Sequence, residues 1–583
     1  MYEVVGMSDT KELLKAARKE EPADILLKNA RVANLFTMEF EDSDVAVKNG
    51  IIVGVGKGYE ARETFDCGGK VLVPGFIEGH MHIESTFMVP RNFAAAAAPH
   101  GTATVMADPH EIANTCGMEG VRFMHEESKD LPVDIFYGAP SCVPASYFET
   151  PREPLGAEDV KTLLDEGTCT HLGEMMNFVG ACDGADDVMA KIKAADGKVV
   201  TGHAPGVTGA DLAAYIISGA TSDHECSTAK EALEKLSLGM YVMLRQGTAT
   251  RDLANLAPIV RNDPRLCVRC MAVSDDISPA FMKERGHLDG CLRELIAAGV
   301  DEMSALRMVT LTPAEYFKLD DRGAIAPGRI ADMLLLGGGL KDCEVKNVWK
   351  RGVMTVAGGK LLKEITPAVI SPLPGNRETV RMPSAEDLAV RIPNVSAKLR
   401  MIGTQKDSVV TQTLVAEPLA ENGFAVADAL RGIAKIAVVE KNRGTGRTAI
   451  GFIKDLGITK GAVASSVAHD AHNFTCVGMD DESMAAALAR LSEMGGGIVA
   501  AEDGEVIFSH ALPVGGLMSL QPFDELLEAL APFDDAVAQL GCADKSALMR
   551  LSFMSLSVIP ALKLTDRGYF DISDGGPKEL FVK

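Results

Sequence analysis

Four histidines and two carboxylates carry the chemistry that can be read from this chain before any fold is assumed. His80 and His82 form a His-x-His pair within Pro74-Gly75-Phe76-Ile77-Glu78-Gly79-His80-Met81-His82-Ile83-Glu84-Ser85. Side chains alternate faces along an extended strand, so both imidazoles point the same way and can share one divalent cation. A bare His-x-His is as readily a hydrogen-bonded turn; ligand-type residues at regular intervals downstream tip the balance. Glu174 lies about three strand–helix units beyond His82, taking roughly 30 residues per unit. His203 comes one unit later, His224 one short unit after that, and Asp275 two units further on. Imidazole and carboxylate together suit Zn, Fe or Mn, and a carboxylate can bridge two ions about 3.5–4 Å apart. Such a centre brings the pKa of water from about 15.7 toward 7, which is the chemistry of hydrolysis at a poor electrophile.

These side chains converge only if the elements around them bring them to one face. Residues 10–20 have the pattern of a short amphipathic helix, and short strands begin at Ala23, with Asn49-Gly50 marking a hairpin. From 76 to 318 apolar strands alternate with helical segments, the pattern of a parallel α/β fold with the length of a (β/α)8 TIM-type barrel. Polar residues gather just after each strand, where such barrels hold their active sites. His80 and His82 then end the first strand, and Glu174, His203, His224 and Asp275 follow the fourth, fifth, sixth and eighth. Strand character returns after 319 and can complete the sheet begun by 23–72, so the barrel would be inserted in a small β-sandwich domain. The Pro- and Gly-rich stretch 371–378 reads as a linker. The expected division is 1–75 (helix and first part of the sandwich), 76–318 (barrel), 319–372 (second part of the sandwich) and 373–583 (a C-terminal α/β domain).

Composition narrows the function further. The 583 residues are 47% hydrophobic and 24% charged, so the chain is globular rather than disordered. A formal net charge of -23 disfavours nucleic acid and anionic membrane surfaces, which need a basic footprint. The 12 Cys residues are scattered and the N-terminus shows no secretory pattern, so free thiols in a reducing cytoplasm are expected. No run of about 18 apolar residues predicts a membrane span.

The stretches PGFIEGHMHIES, ADPHEIANT, HLGEMMNF, GHAPG, SDHE and SDD, in this order, resemble the amidohydrolase superfamily and, within it, the bacterial-type adenine deaminases. The resemblance extends to SVAHDAHN (466–473) and to 552–571, and so covers nearly the whole chain. Many superfamily members carry a carboxylated lysine after strand four, whereas the adenine deaminases resemble this chain in having Glu there. One departure is Ile277-Ser278-Pro279 after Asp275-Asp276, where the family pattern has Arg, then His or Asn, then Pro; it bears on substrate contacts, not on the metal ligands. The resemblance implies hydrolysis of adenine to hypoxanthine and ammonia at two divalent ions, Mn or Fe with Zn also accommodated, in a cytoplasmic homo-oligomer such as a dimer. His80, His82, Glu174, His203, His224 and Asp275 would be the metal ligands, Glu174 bridging. Asp275 would double as general base, moving a proton from the attacking hydroxide to the leaving ammonia.

Other residues carry two readings each. Asp276 either orients the purine or caps the next helix. Asp108, His110 and Glu111 either meet adenine or support the metals, with a helix N-cap by Asp108 as the structural alternative. Glu84 reaches the purine if the strand continues past His82. His469 and His472 suggest a separate metal site, a lid over the barrel mouth or a turn. Arg443-Gly444-Thr445-Gly446-Arg447 reads as a surface turn without a phosphate-loop pattern. Three rival functions compete with deamination at a two-ion centre. The H-x-E…P-C-x-x-C zinc deaminases are matched by His82-Ile83-Glu84 and Cys267-Val268-Arg269-Cys270 only superficially, since Leu266 replaces the proline and a single strand would send the two thiols to opposite faces. Opening of a cyclic amide, as by hydantoinase-like or dihydroorotase-like enzymes, is compatible with the metal ligands alone. A non-catalytic binding protein has no need of the complete ligand set.

Overall fold

The computed structural model describes residues 7–366, 380–405, 408–544, 547–574 and 576–582. The stretch 371–378, expected to be a linker, lies outside them. Helix α1 (Met7–Ala17) precedes strands β1 (Ala23–Asn34), β2 (Glu39–Lys48), β3 (Ile51–Val55), β4 (Ala61–Asp66) and β5 (Val71–Pro74). Asn49 and Gly50 adopt φ of 50° and 75° and fold β2 onto β3, with Lys48 opposite Ile51. That left-handed pair is the backbone that Asn-Gly tolerates at little cost.

Eight parallel strands come next: β6 (Phe76–Met81), β7 (Thr102–Ala107), β8 (Asp134–Ala139), β9 (His171–Met175), β10 (Val200–Gly202), β11 (Ser222–Asp223), β12 (Tyr241–Arg245) and β13 (Cys270–Val273). β6 to β10 form one parallel sheet and β11 to β13 another, each in chain order. Backbone bonds connect the sheets at either side: Thr221 N–H donates to Val200 O and Asp275 N–H donates to His80 O, both at 3.1 Å, and His82 N–H donates to Asp275 O at 3.3 Å. β6 and β7 are buried along their whole length, as parallel strands covered on both faces must be. Helices α2 (Pro90–Ala97) and α3 (His110–Glu127) lie between the first strands.

Strands β14 (Met333–Leu336), β15 (Val345–Lys350), β16 (Val353–Ala357) and β17 (Lys360–Leu361) then rejoin the opening strands. β14 runs antiparallel to β5, with Leu334 opposite Val73, and the result is one nine-stranded sheet. Trp349, fully buried on β15, meets Phe65 of β4 edge-on at 5.1 Å between ring centroids. The sheet is thus held by a core to which both halves contribute.

Beyond residue 390 a second, largely antiparallel nine-stranded sheet carries the helix Asp481–Glu493. Asp480 caps that helix by accepting from Ser483 N–H at 2.7 Å. Met484, Ala487, Leu488 and Leu491, at helical spacing, bury one face against the sheet. No helix among the described residues is long and apolar enough to cross a membrane.

Two local expectations fail. β6 ends at Met81 and Ile83–Thr86 turn as a 3-10 helix, so strand alternation does not carry Glu84 onto the His80–His82 face. Cys267 sits in the 3-10 turn Pro264–Val268 while Cys270 opens β13, so the two are not on one strand.

Candidate metal centre and active site

The ends of β6, β9, β10, β11 and β13 deliver the six expected side chains to one buried cluster. His80 is in β6 and His82 just past its end; Glu174 is in β9; His203 and His224 directly follow β10 and β11; Asp275 lies two residues beyond β13. Glu174 stands at the middle. Its Oε1 is 3.3 Å from His82 Nε2 and 3.8 Å from His80 Nε2. Its Oε2 is 2.8 Å from His203 Nδ1 and 3.3 Å from His224 Nε2. Asp275 Oδ1 lies 3.4 Å from the Nε2 atoms of both His80 and His82. Donor atoms of His80, His82 and Asp275, and of His80, Glu174 and His224, fall within 4.8 Å of one another.

Neighbouring groups hold these ligands in place. His82 Nδ1 is 3.0 Å from Asp108 O, so that nitrogen carries the proton and Nε2 turns its lone pair to the centre. Asp108 Oδ2 accepts the Glu174 backbone N–H at 2.7 Å. Gly173 makes this possible, since a Cβ there would stand 2.4 Å from the same oxygen. The Tyr215 hydroxyl accepts from His203 N–H at 3.0 Å and donates to Met175 O at 2.7 Å, tying β10 to β9. Asp275 itself adopts φ 55°, a left-handed conformation costing a non-glycine residue about 1–2 kcal/mol, which turns its carboxylate toward the histidines.

Electrostatics favour a cation at this place. Burial alone would raise the Asp275 and Glu174 carboxyls. The His80 and His82 imidazoles outweigh it at Asp275, and His224, His203 and His82 outweigh it at Glu174, so both stay well below the usual carboxylate range. At His224 burial is likewise opposed, mainly by Glu174, and its pKa rises to about 9. Yet His80 Nε2, His203 Nε2 and His224 Nδ1 have no hydrogen-bond partner although buried. Of these, His80 Nε2 faces both carboxylates, and ionised carboxylates grouped with buried imidazole nitrogens are a donor set that a divalent ion satisfies.

Of the residues expected to meet substrate, Asp276 and His110 line the cavity above this cluster, whereas Glu84, Asp108 and Glu111 lie behind its wall. Asp108 is occupied with Glu174, and the residue at the helix N-cap is Pro109, which makes no side-chain cap. Glu84 accepts from Ile112 N–H at 3.2 Å. Glu111 Oε1 is hydrogen-bonded with Ser85 Oγ at 3.1 Å. The cavity also holds residues that sequence reasoning missed. Arg245, at the end of β12, pairs with Glu225 and reaches Asp275 Oδ2 at 3.3 Å and Asp252 Oδ2 at 3.0 Å. Both were within reach of the rule that polar residues follow each strand: Glu225 adjoins His224, and Arg245 ends an apolar strand.

The C-terminal region supplies the rest of the wall: Val409, His469, Asp470, Phe553, Leu556 and Ile559. The His469 ring stacks on Phe553 at 4.5 Å, and Asp470 Oδ1 is 3.5 Å from His110 Nε2. The turn 466–473 therefore covers the ends of the parallel strands, as the lid reading expects. The free space between these walls is about 20 Å³, room for one water.

Comparison with known proteins covers both halves of the chain. Residues 71–356 match the amidohydrolase family, and residues 408–575 match the adenine deaminase C-terminal domain. The adenine deaminase of Desulfatibacillum aliphaticivorans is 42% identical over 564 residues, spanning 96% of this chain and 98% of that protein. Adenine deaminase 2 of Carboxydothermus hydrogenoformans is 41% identical over 568 residues, 97% of this chain and 98% of that one. Among solved structures, the β-aspartyl dipeptidase of Fervidobacterium islandicum is similar at TM-score 0.45 and 17% identity, over 59% of this chain and 98% of that one.

Proposed function

The chain belongs to the adenine deaminases of the amidohydrolase family, and from that premise we propose how its buried cluster converts adenine to hypoxanthine and ammonia. One observation carries the reading: the two oxygens of Glu174 face two different imidazole pairs, His80–His82 and His203–His224. A carboxylate so placed suits a bridge between two divalent ions, with Asp275 completing the first pair. Histidine and carboxylate ligands accept Mn or Fe, and Zn as well. When bound, such ions lower the pKa of water and stabilise negative charge that develops during attack.

The chain's own residues account for the proton movements. Deamination adds water at carbon 6, breaks the bond to the amino nitrogen, and moves one water proton to ring nitrogen 1 and the other to the departing ammonia. Asp275 faces the reacting space, ionised across the neutral range, so it is ready to take that proton and does not retain it. Arg245 on Oδ2 holds the carboxylate in place for that transfer. Asp276 lines the cavity as an acceptor for a ring N–H of the free base. The stacked His469–Phe553 pair with Leu556 and Ile559 offers the apolar surface a purine face requires.

The eight parallel strands are read as a closed (β/α)8 barrel over 76–318, inserted in a β-sandwich made by 1–75 and 319–372, with 373–583 as the covering domain. Twelve free thiols, nearly all buried, suit a reducing cytoplasm. A dimer is the expected assembly.

The test is a substrate panel on the Mn-loaded protein: adenine beside dihydrouracil and hydantoin. Hypoxanthine and ammonia from adenine, with the cyclic amides untouched, is the expected result. Ring opening of a cyclic amide without turnover of adenine would move the function to the cyclic-amide class.

A further inference from the structure

Glu111, His469 and His472 offer donor atoms within 4.8 Å of one another, all buried, which has the appearance of a further metal site. The hydrogen bonding of His472 argues otherwise. Ala468 N–H donates to His472 Nδ1 at 3.0 Å, so that nitrogen holds a lone pair and the neutral ring carries its proton on Nε2. Nε2 then faces Glu111 Oε2, at 3.5 Å, as a donor and not as a ligand. Neither atom has a hydrogen-bond partner among the described residues, so this close approach is the contact each makes. The other oxygen, Glu111 Oε1, is 3.1 Å from Ser85 Oγ, and Ser85 Oγ in turn bonds Asp276 Oδ1.

A count of protons fixes the direction of this series. The serine hydroxyl has one proton and meets two carboxyl groups, so one of them must carry its own. Asp276 lies on the cavity wall, whereas Glu111 is fully buried and near Glu84. Burial, with Glu84 nearby, holds the Glu111 carboxyl well above the usual carboxylate range, so Glu111 is the neutral acid: it donates to Ser85, Ser85 donates to Asp276, and Glu111 Oε2 is left facing His472 Nε2.

Resting on the adenine deaminase reading, we propose that His472 of the covering domain is a positioning residue for Asp276, acting through Glu111 and Ser85. Asp276 presents a fixed oxygen to the substrate only when the turn 466–473 is seated. The residue pairs its own domain with the barrel, and substrate recognition thereby senses whether the cover is closed.

The experiment compares wild type, His472→Ala, Glu111→Ala and Glu111→Gln, all Mn-loaded, by kcat and KM for adenine and by bound metal. The expected result is a KM about tenfold higher for both alanine variants, with kcat changed less and metal content equal to wild type. Glu111→Gln should stay within about twofold of wild type, because an amide donates to Ser85 and keeps the contact with His472 as the neutral acid does. A Gln variant as impaired as the Ala variant would overturn the proposal, since Glu111 would then act as a charge. Loss of one equivalent of metal in His472→Ala would overturn it in favour of a third metal site. Unchanged KM in all variants would overturn it as well. The wild-type arm judges the adenine reading separately: without hypoxanthine from wild type that reading fails, whatever the variants do.

Discussion

Charge is buried at both ends of the parallel strands, and the two ends satisfy it in opposite ways. At their N-terminal ends, Asp134 Oδ2 accepts from Lys350 Nζ and from Arg322 Nη1, each at 2.8 Å. Lys350 places its remaining protons on Asp332 Oδ2 at 2.8 Å and Ala103 O at 3.0 Å. Arg322 also meets Thr104 Oγ1 and Asp321. The groups come from β7, β8, β15 and the segment before β14, so the cluster clamps the parallel strands to the nine-stranded sheet. At the C-terminal ends, one imidazole nitrogen each of His80, His203 and His224 is buried without a hydrogen bond. A saturated cluster contributes to stability; an unsaturated one waits for a ligand, and here that ligand is a cation.

The contrast is broken most forcefully by removing one carboxylate charge at each end. Asp275→Asn should cost about 10³ in kcat for adenine. It should leave the unfolding midpoint unchanged or higher, because the left-handed Asp275 is no part of the clamp. A variant that lost stability in proportion to activity would contradict the division. Asp134→Asn should do the reverse, costing about 3 kcal/mol of stability by leaving Lys350 and Arg322 under-paired in a buried place, while activity per folded molecule is kept. Urea unfolding and steady-state rates on the same preparations separate the two effects.

A smaller effect sharpens the same point through pH. Burial would raise the Asp134 carboxyl, but Lys350 and Arg322 hold it at about 2. A depressed pKa contributes stability that is fully present above the unfolded value of about 3.9 and is lost as pH falls toward and through the folded value. The contribution, about 2 kcal/mol, should disappear between about pH 4 and pH 2. In that window wild type and Asp134→Asn should converge in stability; a difference that stayed constant would mean the clamp is not electrostatic.

Much of this is legible in the residues. The six ligand-type positions can be found because each parallel strand ends with its polar residue, so that Glu174, His203, His224 and Asp275 keep step with the strands although far apart in sequence. The sheet shared by β5 and β14 is legible for a related reason, since both are short apolar strands bounding the parallel region. Glu84 is misread because nothing in Ile83-Glu84-Ser85 announces that the strand turns after His82. Asp108 reads as a possible helix cap because its true partner, the backbone of Glu174, is invisible without Gly173's lack of a side chain. His469 and His472 are visible as reactive types, but their partners Glu111 and Phe553 belong to other parts of the chain. The apolar wall of Val409, Leu556 and Ile559 carries no local signal at all, since apolar residues fill cores far more often than they line sites.

The unsaturated cluster becomes the working centre only when metal fills it. The most direct measurement is a titration of chelator-stripped protein with Mn, with bound metal and hypoxanthine formation read on the same samples. No turnover is expected without metal, and activity should rise until about two equivalents per chain are bound, as the two faces of Glu174 require. Full activity in the stripped protein, or bound metal that never brings adenine turnover, would contradict a metal-filled centre as the seat of the reaction.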